Sequence, residues 1–152
     1  MKPTIDLPAS EPPLYQLIQP RSAQVLGPAW ARSFPEHSEV VGYSSLGHVF
    51  MRKPASREYL VLHPLKGAAK SYGSYRSLAA FERGVLQDPG FAAFVLRPDH
   101  VRVVARRLGP LAEESVYIPT PYPFLGGSDT PDSYEQGNVW VFVQTVARLS
   151  GL

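Results

Sequence analysis

Leu46-Gly-His-Val-Phe-Met-Arg52 and Arg57-Glu-Tyr-Leu-Val-Leu-His63, joined by Lys53-Pro54-Ala-Ser56, are the two runs whose reading decides the fold. Both are dense in β-branched and aromatic residues, and the Pro-Ala-Ser between them carries turn chemistry, so together they predict a β-hairpin. Val49 and Met51 are expected on one side with Tyr59 and Val61 opposing them, although sequence leaves the register open. Glu39 to Tyr43 supplies a third strand of the same character. Gly42-Tyr-Ser-Ser-Leu-Gly47 then reads as the turn between strands, with Gly47 easing a tight backbone. Strands come early, helices later, and no alternating βαβ rhythm appears. The fold class is therefore α+β, an antiparallel sheet with packed helices in a single domain spanning residues 1–152.

Helical signals follow the hairpin. Ser74 is a candidate N-cap before a stripe of Leu78, Phe81, Val85 and Leu86 that stops at Asp88-Pro89. Phe91 to Leu96 forms a short helix, and Pro98-Asp99 opens another with Val101, Val104 and Leu108 inward, stopped by Gly109-Pro110. Asn138 to Leu149 spaces Val139, Phe142, Val143, Val146 and Leu149 at helical intervals; its opening Val-Trp-Val-Phe-Val also suits a strand, and helix is the favoured reading. Upstream, residues 1–13 hold four prolines and read as an extended arm. Leu14-Tyr-Gln-Leu-Ile-Gln19 reads as a helical turn ended by Pro20, Ser22 to Leu26 as a second, and Trp30 and Phe34 as core anchors.

The composition bounds the function. At 152 residues with 44% hydrophobic and 18% charged residues, the chain has enough apolar sequence for one ordinary core. It contains no cysteine, which excludes disulfides and thiolate metal sites. The N-terminus lacks a secretory apolar run and no membrane-length apolar stretch occurs, so the expectation is a cytoplasmic protein with no membrane partner. The net charge of +2 conceals a segregation. Arg52 to Arg107 carries eleven Lys/Arg against four acids, and Leu108 to Ala147 carries five acids, Glu113, Glu114, Asp129, Asp132 and Glu135, with no base. On one reading the two halves pack side by side and neutralise each other. On the other, the acids form a surface for a basic partner, speeding encounter and rejecting wrong partners.

Catalytic devices are not evident. His37, His48, His63 and His100 are scattered without zinc spacing, so no metal or other cofactor is indicated. Gly42 to Gly47 departs from a nucleophile elbow, which would need glycine at Leu46 and a following helix. Gly126-Gly127 is not followed by the Lys-Ser/Thr and helix of a phosphate loop. Glu113-Glu114 has the chemistry of an acid–base pair, but adjacent turn carboxylates are ordinarily solvated. Tyr59, Tyr72, Tyr75 and Phe81 interleave the basic segment, yet Phe81 belongs to an apolar stripe and no recognition-helix or RNA-binding signature accompanies them, so nucleic acid is not expected as a direct partner.

One stretch remains: Tyr117-Ile-Pro-Thr-Pro121-Tyr-Pro-Phe-Leu-Gly126-Gly127. Prolines at 119, 121 and 123 force extended geometry and remove three N–H donors, which excludes a central strand. The stretch is expected to wrap the surface, packing Tyr117, Phe124 and Leu125 inward, with the glycines permitting left-handed dihedrals or close backbone approach. Tyr117-x3-Pro121-x3-Leu125-Gly126-Gly127, preceded by Leu108-Gly109-x-Leu111 and Glu114 and followed by an apolar terminal helix, resembles the C-terminal immunity domain of bacterial type VI secretion immunity proteins. That domain often follows a GAD-like segment and is loosely similar to SUKH-type immunity proteins. The resemblance extends over residues 41–152.

The resemblance implies a non-enzymatic inhibitor that binds a cognate toxin, a type VI effector with nuclease activity, and occludes its active site. Tyr117, Pro121, Leu125, Gly126 and Gly127 would then be structural. A nuclease needs a basic cleft for phosphates, so Glu113, Glu114, Asp129, Asp132 and Glu135 are the candidate partner-binding residues. Two other readings stand beside this one: a SUKH-like regulatory or scaffold module, and an enzyme built on converging histidines.

Overall fold

β2, Glu39–Ser44, is buried from Val40 onward, and that burial is the plan of the molecule. A strand buried on both faces needs a layer against each. In the computed structural model, which describes residues 11–151, it lies inside a five-stranded antiparallel meander of order β1-β2-β3-β4-β5. The others are β1, Tyr15–Ser22, β3, Val49–Lys53, β4, Glu58–His63, and β5, Ala68–Ser74. The α+β class and antiparallel sheet follow as expected from the sequence.

Register decides which residues meet which layer. Val49 pairs with Leu62 and Met51 with Leu60, while Phe50 pairs with Val61 and Arg52 with Tyr59. Val49 and Met51 thus share a face with Leu60 and Leu62 rather than with Tyr59 and Val61. Their face packs on α5, Val139–Leu149, through Phe142, Val143 and Val146, and on Leu26 and Trp30 of the early chain. Trp30, in α1, Pro28–Ser33, donates its indole N–H to the Val143 carbonyl at 2.9 Å. The opposite face, Val41, Phe50, Tyr59 and Val61, is covered by two short helices. These are α2, Leu78–Phe81, which continues as the π-helical turn Glu82–Leu86, and α3, Pro89–Phe91, which continues as Ala92–Leu96. Tyr59 and Phe81 stack at 4.2 Å. Asn138 caps α5 through the Trp140 and Val141 amides, which settles the 138–149 ambiguity in favour of helix.

A second unit sits at one end of the sheet. β6, Ser115–Pro119, and β7, Tyr134–Asn138, form a two-stranded ribbon. α4, Pro98–Leu108, packs Val101 and Val104 against Tyr117 and Tyr134 of that ribbon.

Three local expectations are corrected, and one strand, β5, was not foreseen. Residues 15–19 belong to β1 and not to a helical turn, with Leu14 in the bend before it; a bulge between Leu17 and Arg21 accommodates Pro20, whose missing N–H is tolerable on an edge strand. β5 gave no sequence signal because it is an edge strand with most of its residues exposed, so no apolar alternation marks it. The helix cap is Ser77, accepting from the Ala80 amide, while Ser74 ends β5. Phe124 and Leu125 point outward, 40% and 53% exposed, because the chain turns through a 3-10 turn, Pro123–Leu125, before the glycines. The second expected turn appears as the 3-10 helix Ala23–Leu26, capped by Ser22. Of the expected arm, residues 1–10 lie outside the described residues, and Glu11 to Pro13 carries no regular structure.

The glycine pair behaves as its sequence implied. Gly126 is left-handed at φ 91°, with open space where a methyl group would sit, whereas a Cβ on Gly127 would lie 1.8 Å from the Pro121 carbonyl oxygen. Gly127→Ala is therefore expected to lower stability by about 2 kcal/mol or more, and Gly126→Ala by only about 1 kcal/mol. Urea unfolding midpoints of the two variants measure the difference.

Candidate functional site

A cleft of about 1410 Å³ opens between β1, α4 and the segment from Pro110 to Ser115. Tyr43, Ser45, Tyr117 and Trp140 form its floor, and Glu11, Arg21, Arg102, Arg106, Glu113 and Glu114 bring charge to its walls.

Glu114 organises the floor. Its backbone is left-handed at φ 63°, a conformation that costs a non-glycine residue about 1–2 kcal/mol. Every polar group of the residue is engaged in holding it there. Its amide donates to the Tyr43 hydroxyl at 3.0 Å, and its carbonyl accepts from the Val139 amide at 2.8 Å. Its carboxylate accepts from the Trp140 indole at 3.0 Å and lies 3.6 Å from Arg21, which sits over the Trp140 ring. Nearby, the Tyr117 hydroxyl donates to the Gly109 carbonyl at 2.6 Å, and the Gln136 amide reaches the Leu108 carbonyl at 2.8 Å. Burial raises both the Tyr43 and the Tyr117 phenol above the usual tyrosine range, so neither is a ready acid or base.

The five candidate acids do not gather. Glu113 and Glu114 border the cleft at one end of the β6–β7 ribbon, while Asp129 and Asp132 belong to the connection at its other end. A five-residue ribbon separates the ends by roughly 15 Å. Asp129 is bound to Arg97 at 2.8 Å and accepts from the Tyr134 hydroxyl, and these contacts hold its carboxyl low against the opposing effect of burial. Glu135 accepts from Thr120 at 2.9 Å. Arg107 of α4 donates to the Pro131 and Tyr134 carbonyls. Basic and acidic segments therefore pack together, and among the described residues Glu113, Asp132 and Glu135 are left without a cationic partner.

Two of the four histidines converge, His48 and His63, with ring centroids 4.8 Å apart. The charges that perturb them are cationic, Lys66, Lys70 and Arg97, with no carboxylate beside them. Ser44 Oγ lies 2.6 Å from His48 Nδ1 and also accepts from the Leu46 and His48 amides, so its single proton goes to the imidazole. Ser44 is fully buried, so this pair is a structural lock and no nucleophile. His100 lies 4.0 Å from Asp129, and His37 bonds Glu58 at 3.1 Å. Among the described residues no group of three or more His, Asp or Glu is placed to hold a metal ion, and no helix is long and apolar enough to cross a membrane.

Sequence reasoning missed Arg21, Tyr43, Ser45, Arg106 and Trp140 as cleft residues. The available signals were Glu113 and Glu114, named from the acid-only segment, and Tyr117, named from the proline-rich motif, all of which line the cleft.

Comparison with known proteins adds the fold alone. No family model matches the chain, and no curated protein matches it. Among solved structures it is similar to Atu4351 from Agrobacterium tumefaciens, at 14% identity and a TM-score of 0.59. The match covers 89% of this chain and 66% of that one, so this chain spans just under two thirds of Atu4351.

The histidines give a pH signature. Burial holds His63 and His100 below their ordinary value and pulls His48 down to about 3, while in the unfolded chain each protonates near 6.5. The unfolded chain thus binds more protons below pH 6.5, and stability falls as pH drops through that point toward 3. The urea midpoint is expected to decline between pH 7.5 and 5, above the range where carboxylates titrate, and His48→Gln is expected to flatten that slope. A flat wild-type profile contradicts this account.

Proposed function

We propose that this chain is an immunity-type protein that binds a cognate toxin, a type VI effector with nuclease activity, and silences it by covering its active site. The observation that carries this reading is the cleft. Its floor hydroxyls are bonded to backbone groups and its indole to the Glu114 carboxylate, so what it offers is a shaped, charge-rimmed surface. Such a surface suits recognition: aromatic anchors and arginines near a central depression are the usual carriers of binding energy. The Tyr117 to Gly127 motif supports the same reading, since Tyr117 builds the floor and Gly127 holds the connection beyond it.

The acids enter this proposal in reduced form. Glu114 and Asp129 are engaged by arginines within the fold, which leaves Glu113, Asp132 and Glu135 to oppose a basic nuclease cleft. The mechanism is occlusion without chemistry, in the cytoplasm where the toxin would act. A regulatory or scaffold module of SUKH-like shape would use the same cleft and differ only in its partner.

Co-expression with the product of the neighbouring gene, if that product is toxic, is expected to restore growth and yield a complex that co-purifies. Charge reversal at Glu113, Asp132 and Glu135 together should slow association on the order of tenfold and weaken its salt dependence. Absence of both rescue and complex would remove the toxin-binding reading. Rescue with an unchanged association rate would remove only the electrostatic contribution.

A further inference from the structure

Six consecutive residues of β1, Gln16 to Arg21, line the cleft. Side chains of a strand alternate between its two faces. An unbroken run of neighbours therefore borders one cavity only when the cavity lies along the strand's edge. β1 is the terminal strand of the sheet, with β2 on its inner side, so its outer backbone groups open into the cleft. The bulge between Leu17 and Arg21 also releases part of the strand from the ladder with β2. Pro20 removes a donor at the far end, which guards that end against indiscriminate pairing.

The opposite wall is helical. Arg102, Ala105 and Arg106 project from one face of α4 at the i, i+3 and i+4 positions. A sheet edge facing a helix across a largely aromatic floor is a geometry in which an extended peptide adds as another strand. Main-chain hydrogen bonds then supply affinity, and alternate side chains supply specificity.

Resting on the reading of this chain as a protein-binding module, though not on the partner being a toxin, we infer that the cleft captures an extended peptide segment of the partner as a sixth strand on β1. An acidic side chain of that segment meets Arg106, and apolar side chains flanking it meet the floor. Charge on the helical wall facing β1 selects the acid, while the unpaired Glu113 lies on the Pro110 to Ser115 segment. Arg102 is already held by Glu11 and Asp99, both at 2.7 Å, and Arg21 by Glu114 and the Trp140 ring. Arg106 has no ion-pair partner among the described residues. Size selects a peptide over a metabolite. At about 1410 Å³ the cleft exceeds the roughly 300–1,000 Å³ of small-molecule sites. Its β1 wall is roughly 20 Å long, which matches a strand of about six residues.

The test uses the full chain and a phage-displayed library of random heptapeptides between Gly-Ser spacers. Selected peptides are expected to place Asp or Glu between apolar residues. A synthetic copy should slow amide hydrogen exchange in Gln16 to Gln19 by about tenfold or more while leaving Ala68 to Ser74 unchanged. Arg106→Glu should reverse the selected charge to Lys or Arg with the circular dichroism spectrum unaltered. Gln19→Pro should weaken binding of the original peptide by about tenfold.

Failure to enrich any peptide overturns the inference. So do protection at β5 instead of β1 and selected charges indifferent to Arg106. If β1 amides are already slow in the free chain and quicken when residues 1–10 are removed, the chain's own N-terminal segment is the occupant and the inference falls. Toxin rescue with a failed library sinks strand addition alone; a successful library without rescue sinks the toxin reading and keeps the groove.

Discussion

Ser45 is the knot on which the arrangement depends. It is almost fully buried, and its three hydrogen-bonding groups join three parts of the chain. Its amide donates to the Leu14 carbonyl at 2.9 Å, its hydroxyl to the Pro13 carbonyl at 2.7 Å, and its carbonyl accepts from the Tyr117 amide at 2.8 Å. One residue at the β2–β3 turn thereby ties the entry of β1 to the five-stranded sheet and joins that sheet to the β6–β7 ribbon. A buried polar group left unpaired costs more than its hydrogen bond contributes, so breaking any one of these contacts penalises the others. The cleft is the space bounded by the parts this knot gathers. The turn that superficially resembled a nucleophile elbow is structural: Ser45 is consumed by backbone, and Ser44 by two backbone amides and the His48 imidazole.

Charge has a similar integrating role. The basic middle segment and the acidic segment after it are partners within one fold. Arg97 binds Asp129, Arg107 caps carbonyls of the acidic segment, and Arg21 from the early chain reaches Glu114. Such exposed or half-exposed pairs contribute little stability individually. Their effect is to orient α4 and the ribbon and to consume charge that would otherwise face a partner. What remains unpaired among the described residues is sparse and placed at the rims, where it influences encounter more than affinity.

The sequence was most legible where burial was deepest. β2 to β4, the α2 stripe, α4 and α5 carry apolar spacing because each faces a packed layer, and α4 stops at Gly109 and α5 is capped by Asn138 as propensity suggests. The edges were illegible. β1 resembles a helical turn because its part-buried residues, Tyr15, Leu17 and Ile18, split between two clusters while the rest of the strand is exposed, and β5 has almost no buried face. Phe124 and Leu125 looked like core and are not, since the proline run turns them outward. The candidate site was legible only through Glu113, Glu114 and Tyr117. Its remaining walls come from segments far apart in sequence, Arg21, Tyr43, Arg106 and Trp140, and nothing local to any of them announces a common cavity.

The contact between Trp30 and Val143 has a consequence for how this chain acquires its fold during synthesis. The sheet face bearing Val49, Met51, Leu60 and Leu62 is finished by α5, and roughly 75 residues lie between the end of β4 and the start of that helix. At about 5–20 residues per second, ribosomal synthesis leaves that face, and the Trp30 indole, without their cover for several seconds. An apolar sheet face open on that timescale is a substrate for chaperones. The order of synthesis thus delivers the cover of this face, one late helix, after the hairpin that needs it.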